Sequence, residues 1–138
     1  MILELFYLLC SDAALITNTA RFLSIGVVEF SEIDISEFKR IDMRVGRVVK
    51  AERVPGTDRL IRLEVDFKDF KKQAITGLGH LYGPEHFLDK EYVFVVNLKP
   101  RKMRGLLSDC MILAAVASDE KIVPIAPESP IDVGSPVS

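Results

Sequence analysis

Residues 60–67 read Leu-Ile-Arg-Leu-Glu-Val-Asp-Phe, and no other stretch restricts the fold as much. Ile61, Leu63, Val65 and Phe67 alternate strictly with Arg62, Glu64 and Asp66. A period of two places every apolar side chain on one face of an extended strand and every charge on the other, a pattern no helix can use. The segment is therefore a half-buried β-strand, and its neighbours must supply a core for one face only.

The neighbours read the same way. Arg44 to Val54 is a long valine-rich strand whose alternation slips around Gly46, as at a bulge or a sharp barrel corner. Pro55-Gly56 ends it in a turn, and Lys68-Asp69 turns the chain into a third strand over Lys72 to Thr76. Gly77 to Pro84 is a loop, followed by a short helical piece around Glu85 to Leu88. Tyr92 to Val96 is continuously apolar, as expected of a strand covered on both faces. Met111 to Val116 supplies a fifth strand, and Ile122 to Ile125 suggests one more before a Pro- and Ser-rich tail. A short helix is expected over Ser36 to Ile41, with Ser36 as its N-cap. Five strands with a helical insert between the third and fourth match an all-β, five-stranded OB-fold barrel. An SH3-like barrel also has five strands, and the insert decides between them.

With 138 residues the chain has room for one such domain and one core. We divide it into an N-terminal extension, 1–27, and an OB-fold domain, 28–138. The apolar run Leu5 to Cys10 is too short to span a bilayer, and no Lys or Arg precedes Arg21. The expected role of the extension is an extra helix packed on the domain, or residues translated from upstream of the natural start, rather than a signal or membrane segment. Cys10 and Cys110 lie far apart in hydrophobic surroundings, which suits buried, reduced thiols in an intracellular, cytoplasmic protein.

Net charge is −2, which argues against a nucleic-acid partner until its distribution is considered. Met43 to Arg104 holds 14 Lys/Arg against 8 Asp/Glu, whereas the flanks together hold 4 against 12. A basic middle between acidic ends can steer a polyanion locally. The sharpest concentration is Asn97-Leu98-Lys99-Pro100-Arg101-Lys102-Met103-Arg104-Gly105, with four cations and no acid before Asp109. It falls between the fourth and fifth strands, where an OB-fold presents a ligand-binding loop. Lysine offers a mobile point charge for phosphate, and arginine a planar fork that also stacks on bases. A bare basic run is equally compatible with a solvated turn. Arg44, Arg47, Lys50 and Arg53 on the first strand add cations that favour binding.

Other motifs carry less. Gly77-Leu78-Gly79 lacks the Lys-Ser/Thr of a P-loop and the Rossmann spacing, so turn glycines are the expected reading over a phosphate cradle. His80 and His86, with Glu85 and Asp89 nearby, match no zinc spacing, and no metal or cofactor is expected. No nucleophile–base arrangement is visible, so a self-contained enzyme is not expected.

Together these motifs resemble the tRNA-binding domain family. Ile35 to Val48 is similar to its opening motif, Ala51 to Leu60 to its first turn, and Gly77-Leu78 through Pro84-Glu85 to its middle loop. Asn97 to Gly105, with Ser108 and Met111, resembles its most distinctive stretch. Leu107 and Cys110 depart from the pattern, standing where bacterial members have an acidic and a small residue. The family includes methionyl-tRNA synthetase beta subunits and C-terminal domains, free-standing structure-specific tRNA-binding proteins, and the endothelial monocyte-activating polypeptide type. The resemblance implies non-catalytic binding of tRNA by shape and backbone, as a homodimer or joined to a synthetase, methionyl first among them. The candidate RNA-contact residues are Asn97, Lys99, Arg101, Lys102, Met103, Arg104 and Ser108 from the distinctive stretch, joined on grounds of charge by Arg44, Arg47, Lys50 and Arg53 from the barrel. The alternative is the related export-associated chaperone type of OB-fold, which binds protein segments.

Overall fold

The computed structural model describes residues 31–138. The extension, the boundary near Val28 and Cys10 lie outside the described residues. A four-residue helix, α1 (Ile35–Phe38), precedes the long strand β1 (Met43–Arg53). Next come β2 (Ile61–Asp66), β3 (Lys71–Thr76), a 3-10 turn at Pro84–His86, and β4 (Glu91–Val95). The short strands β5 (Arg101–Met103), β6 (Leu106–Ser108) and β7 (Met111–Ile112) follow. The chain ends with β8 (Ala114–Ser118), β9 (Lys121–Pro124) and β10 (Pro136–Val137).

The main antiparallel sheet runs β3-β2-β1-β4-β7, the five-stranded, OB-like barrel expected from the alternating pattern. β1 serves three partners: Met43 to Arg47 pairs with β4, Arg47 to Arg53 pairs with β2, and Met43 and Arg44 also pair with β10. The register with β2 shifts between Val48 and Lys50, so the bulge lies at Val49, three residues beyond the slip in the sequence pattern. Gly46 has a different task. A Cβ there would stand 2.5 Å from Val65 Cγ1 and 2.6 Å from Phe67 Cε1, so the glycine lets β1 cross tightly over β2.

Alternation in β2 survives intact. Ile61, Leu63, Val65 and Phe67 are fully buried, while Arg62, Glu64 and Asp66 are half-exposed. Each buried side chain of this size contributes about 1.5–3 kcal/mol over an exposed one. Phe67 stacks on Phe70 at 5.1 Å and meets Phe94 edge-on at 5.5 Å. Tyr92 to Val96 is buried throughout, as its unbroken apolar run requires.

The barrel closes through side chains. Asp109 N–H donates to Gln73 O at 2.9 Å, Gln73 N–H donates to Asp109 Oδ1 at 2.9 Å, and Ile75 N–H donates to Ser108 Oγ at 3.0 Å. Short polar side chains thus satisfy the free edge of β3 where a backbone ladder would otherwise run.

The expected fifth strand is split. β7 covers only Met111–Ile112, and Leu113 then lets β8 pair away with β9 in a separate hairpin. The Pro- and Ser-rich tail supplies β10, which pairs with Met43 and Arg44 of β1. Nothing in the tail's composition signals that strand. Cys110 is buried, as expected, and burial pushes its thiol from the ordinary 9.0 up to about 12, with neighbouring Asp109 adding to the shift.

Candidate nucleic-acid interface

The basic run is a loop only from Asn97 to Pro100. From Arg101 it enters a β-hairpin, β5–β6, in which Arg101 faces Ser108, Lys102 faces Leu107 and Met103 faces Leu106. Its two-residue turn, Arg104-Gly105, has φ of 52° and 78°. Two positive φ values define a turn whose twist matches the flanking strands, which is why so short a connection suffices. Glycine takes this backbone freely, whereas arginine is held there against its preference.

Alternation along the hairpin sorts its side chains. Arg101, Met103, Leu106 and Ser108 are half-buried, while Lys102 and Leu107 face outward and are exposed. Met103 and Leu106 pack against a small core of Val54, Leu60 and Ile75, distinct from the barrel's main core. Together with the Ser108–Ile75 bond they anchor the hairpin to β3. Its cations are therefore carried on a fixed support.

Residues singled out from the sequence divide into two groups. Lys99, Lys102 and Arg104 are exposed, and no acid lies between Asn97 and Ser108. Among the described residues none of the three forms an ion pair that a phosphate would have to break. Arg101 lies beside them, half-buried and engaged within the protein. Asn97 and Ser108 use their side chains internally. Asn97 Nδ2 donates to Arg40 O at 2.6 Å, and its Oδ1 accepts from Asp42 N–H at 2.9 Å. Ser108 Oγ also donates to Cys110 O at 3.2 Å.

The four cations of β1 are not gathered on one surface. Arg44 makes a two-pronged contact with Asp42, at 2.9 and 3.3 Å, and lies 5.8 Å over the Phe70 ring. Its hydrogen bond and charge interaction with Asp42 raise its pKa from the usual arginine value. Arg53 Nη1 donates to Asp58 O and Gly79 O, both at 3.0 Å, tying the first turn to the Gly77–Gly79 loop. Arg47 and Lys50 are exposed, but they stand opposite Asp66 and Glu64 of β2. Directly opposed residues share a face of the sheet, so each charge is locally balanced.

Gly77-Leu78-Gly79 is buried and closes against the first turn, with Gly79 N–H donating to Arg59 O at 2.7 Å. That geometry matches turn glycines. His80 Nε2 contacts Asp119 O at 3.0 Å, and His86 stacks on Tyr82 at 4.2 Å. Among the described residues, no group of three or more His, Cys, Asp or Glu is placed to hold a metal.

The sequence reading overlooked two features. Lys72 Nζ donates to Val96 O at 2.9 Å and lies 6.0 Å from the Phe70 centroid, so Arg44 and Lys72 both approach one ring. Leu98, an exposed apolar residue within a basic segment, borders a cleft at the base of the hairpin. Its exposure was the available signal.

Comparison with known proteins agrees with this geometry. Residues 46% identical over 93 positions occur in the methionine–tRNA ligase of Methanocorpusculum labreanum, an alignment covering 67% of this chain and 14% of that enzyme. The chain thus spans about a seventh of the length of that synthetase. A methionyl-tRNA synthetase-related protein from Pyrococcus horikoshii superposes with a TM-score of 0.75 at 37% identity, covering 79% of this chain and all of the other. The chaperone CsaA of Bacillus anthracis superposes with a TM-score of 0.71 at 29% identity, covering 78% of this chain and all of that one. The profile of the tRNA binding domain family matches residues 43–136, most of the barrel and the whole hairpin. The chain belongs to the tRNA binding domain family.

Proposed function

We propose that the chain binds tRNA through the β5–β6 hairpin, reading backbone and shape rather than a base sequence. One observation carries this reading: Lys102 and Arg104 project from an anchored hairpin, Lys99 from the loop that leads into it, and the segment contains no acid. Phosphate contacts supply most of the affinity in such an interface and position the RNA without encoding sequence. Arg101 completes the cationic set, Met103 supports it from below, and Asn97 and Ser108 act by holding the hairpin's two ends. Arg44, Arg47, Lys50 and Arg53 form a weaker second tier, because their charges are balanced or already bonded.

The module is non-catalytic and works in the cytoplasm. It serves as the beta subunit or appended domain of a methionyl-tRNA synthetase, or as a free-standing tRNA-binding protein that pairs as a homodimer. Similarity to part of a methionine–tRNA ligase supports the first form, and similarity to a methionyl-tRNA synthetase-related protein supports the second. Residues 28–138 form the binding domain, and 1–27 add nothing to RNA binding. Similarity to a protein named a chaperone favours a second reading, capture of a polypeptide segment. Charge distribution supports RNA over that reading.

Titrating labelled, unfractionated tRNA with the protein at rising salt tests the proposal. Three to five phosphate contacts give log K against log[salt] a slope of about −2 to −4. A flat dependence, or preference for unfolded protein over tRNA, overturns it. Sedimentation at micromolar concentration distinguishes a homodimer from a monomer that needs a synthetase.

A further inference from the structure

At the base of the hairpin, beside β7, the surface forms a shallow cleft that is partly open to solvent. Its sheltered side is made by Met103, Cys110 and Met111, and its exposed side by Leu98 and Lys99. Ser108 also lines it, but its hydroxyl is occupied by Ile75 N–H and Cys110 O. Arg101 lines it as well, half-buried and engaged within the protein, so the cleft offers two thioethers beside a guanidinium, with the Lys99 ammonium at the rim.

That combination restricts the ligand. A bare phosphate fits poorly, because it would exchange its hydration largely for sulfur and methyl groups and the Arg101 guanidinium is already engaged within the protein. A purely aliphatic ligand gains nothing from the lysine. A flat, polarizable ring joined to an anion satisfies both parts, since thioethers make favourable contacts with aromatic systems. Resting on the RNA-binding reading above, we propose that one unstacked nucleobase of the bound RNA stacks across the mouth of this cleft, against Leu98 and Met111, while Lys99 holds the phosphate beside it. Backbone contacts alone treat paired and unpaired RNA alike, so the cleft gives the protein a preference for RNA that displays an unpaired base.

The test uses the full chain and two probes, unfractionated tRNA and a blunt, fully paired RNA duplex. Leu98→Ala and Met111→Ala weaken tRNA binding about three- to tenfold and leave duplex binding within about twofold of the parent. Lys102→Ala, outside the cleft, weakens both probes in the same proportion. Leu98 is 46% exposed, so its variant keeps the parent's melting temperature and remains decisive should Met111→Ala unfold. If both variants bind tRNA like the parent, or lose tRNA and duplex equally, the cleft is not a base site, although RNA binding stands. A parent that binds neither probe overturns the RNA reading itself, and the cleft assignment falls with it.

Discussion

The outer face of β1–β2–β3 and the β5–β6 hairpin both carry many cations, yet they present different surfaces. On the sheet, Arg47 faces Asp66 and Lys50 faces Glu64. Arg62 lies 3.5 Å from Glu52, and Lys71 lies 3.8 Å from Glu64. Exposed pairs such as these contribute little to stability, but each cancels the field that a distant phosphate would feel. On the hairpin, the residue across from Lys102 is Leu107, which has no charge to offer. Equal cation density along the chain thus becomes unequal potential in space, and what decides it is the identity of the residue on the facing strand.

The strongest challenge to this contrast replaces cations in each region. Changing Lys99, Lys102 and Arg104 together to Ala should cost about 3 kcal/mol of tRNA affinity, at roughly 1 kcal/mol for each phosphate contact, and flatten the salt slope. Arg47→Ala with Lys50→Ala should cost less than about threefold, because the freed carboxylates repel RNA only weakly through solvent. Filter binding at two salt concentrations measures both. Equal losses would erase the distinction between the two surfaces.

Next in size is Ser108→Ala, which separates support from contact. Removing the hydroxyl orphans Ile75 N–H at the barrel seam, and a buried unsatisfied donor costs about 1–3 kcal/mol. Thermal melting should register that loss, while affinity measured well below the melting temperature stays near the parent's. An affinity loss without a change in melting would return Ser108 to the interface.

These two variants also mark how far the sequence could be read. The alternation of β2 exposed the barrel because one buried face leaves a period of two, and the long bent strand was visible in its valines. The hairpin was read as a loop because its signals are atypical. Lys102 and Leu107 give no polar–apolar alternation across the strands, and Arg104-Gly105 replaces the Asn-Gly usual in such a turn. Barrel closure by Asp109 and Ser108 depends on partners more than thirty residues away, beyond the reach of local pattern. Among the candidate residues, the sequence identified the cationic segment. It could not say that Asn97 and Ser108 spend their polar atoms on the backbone, since residue type is silent about partners.

A smaller change addresses the facing residue directly. Leu107→Glu places a carboxylate across from Lys102 and restores the arrangement of the sheet face. Such cross-strand pairs are worth about 0.2–1 kcal/mol, so melting should stay level or rise slightly while tRNA affinity falls about three- to fivefold. Unchanged affinity would mean that Lys102 binds without regard to its neighbour, contrary to the contrast drawn between the two surfaces.

An effect of similar size is expected at Arg104, where conformational preference and charge oppose each other. Its φ of 52° belongs to the left-handed region, which costs most residues about 1–2 kcal/mol and asparagine less. A two-residue turn of this type ordinarily takes Asn-Gly, so Arg104→Asn should stabilise the folded chain by about 0.5–1 kcal/mol. The same substitution removes the cation at the tip and should weaken tRNA binding by about 1 kcal/mol, near fivefold. Stability and affinity then move in opposite directions from one atom-scale change, as expected where a strained residue is held for its chemistry. Lysine at this position separates the causes further. It retains the charge and the strain, so Arg104→Lys should keep the parent's melting temperature and most of its affinity if the contact is a phosphate, and lose affinity if the guanidinium stacks on a base. Should Arg104→Asn gain stability and bind tRNA as the parent does, the tip lies outside the interface, and the contact is confined to Lys99, Arg101 and Lys102 at the hairpin's base and body.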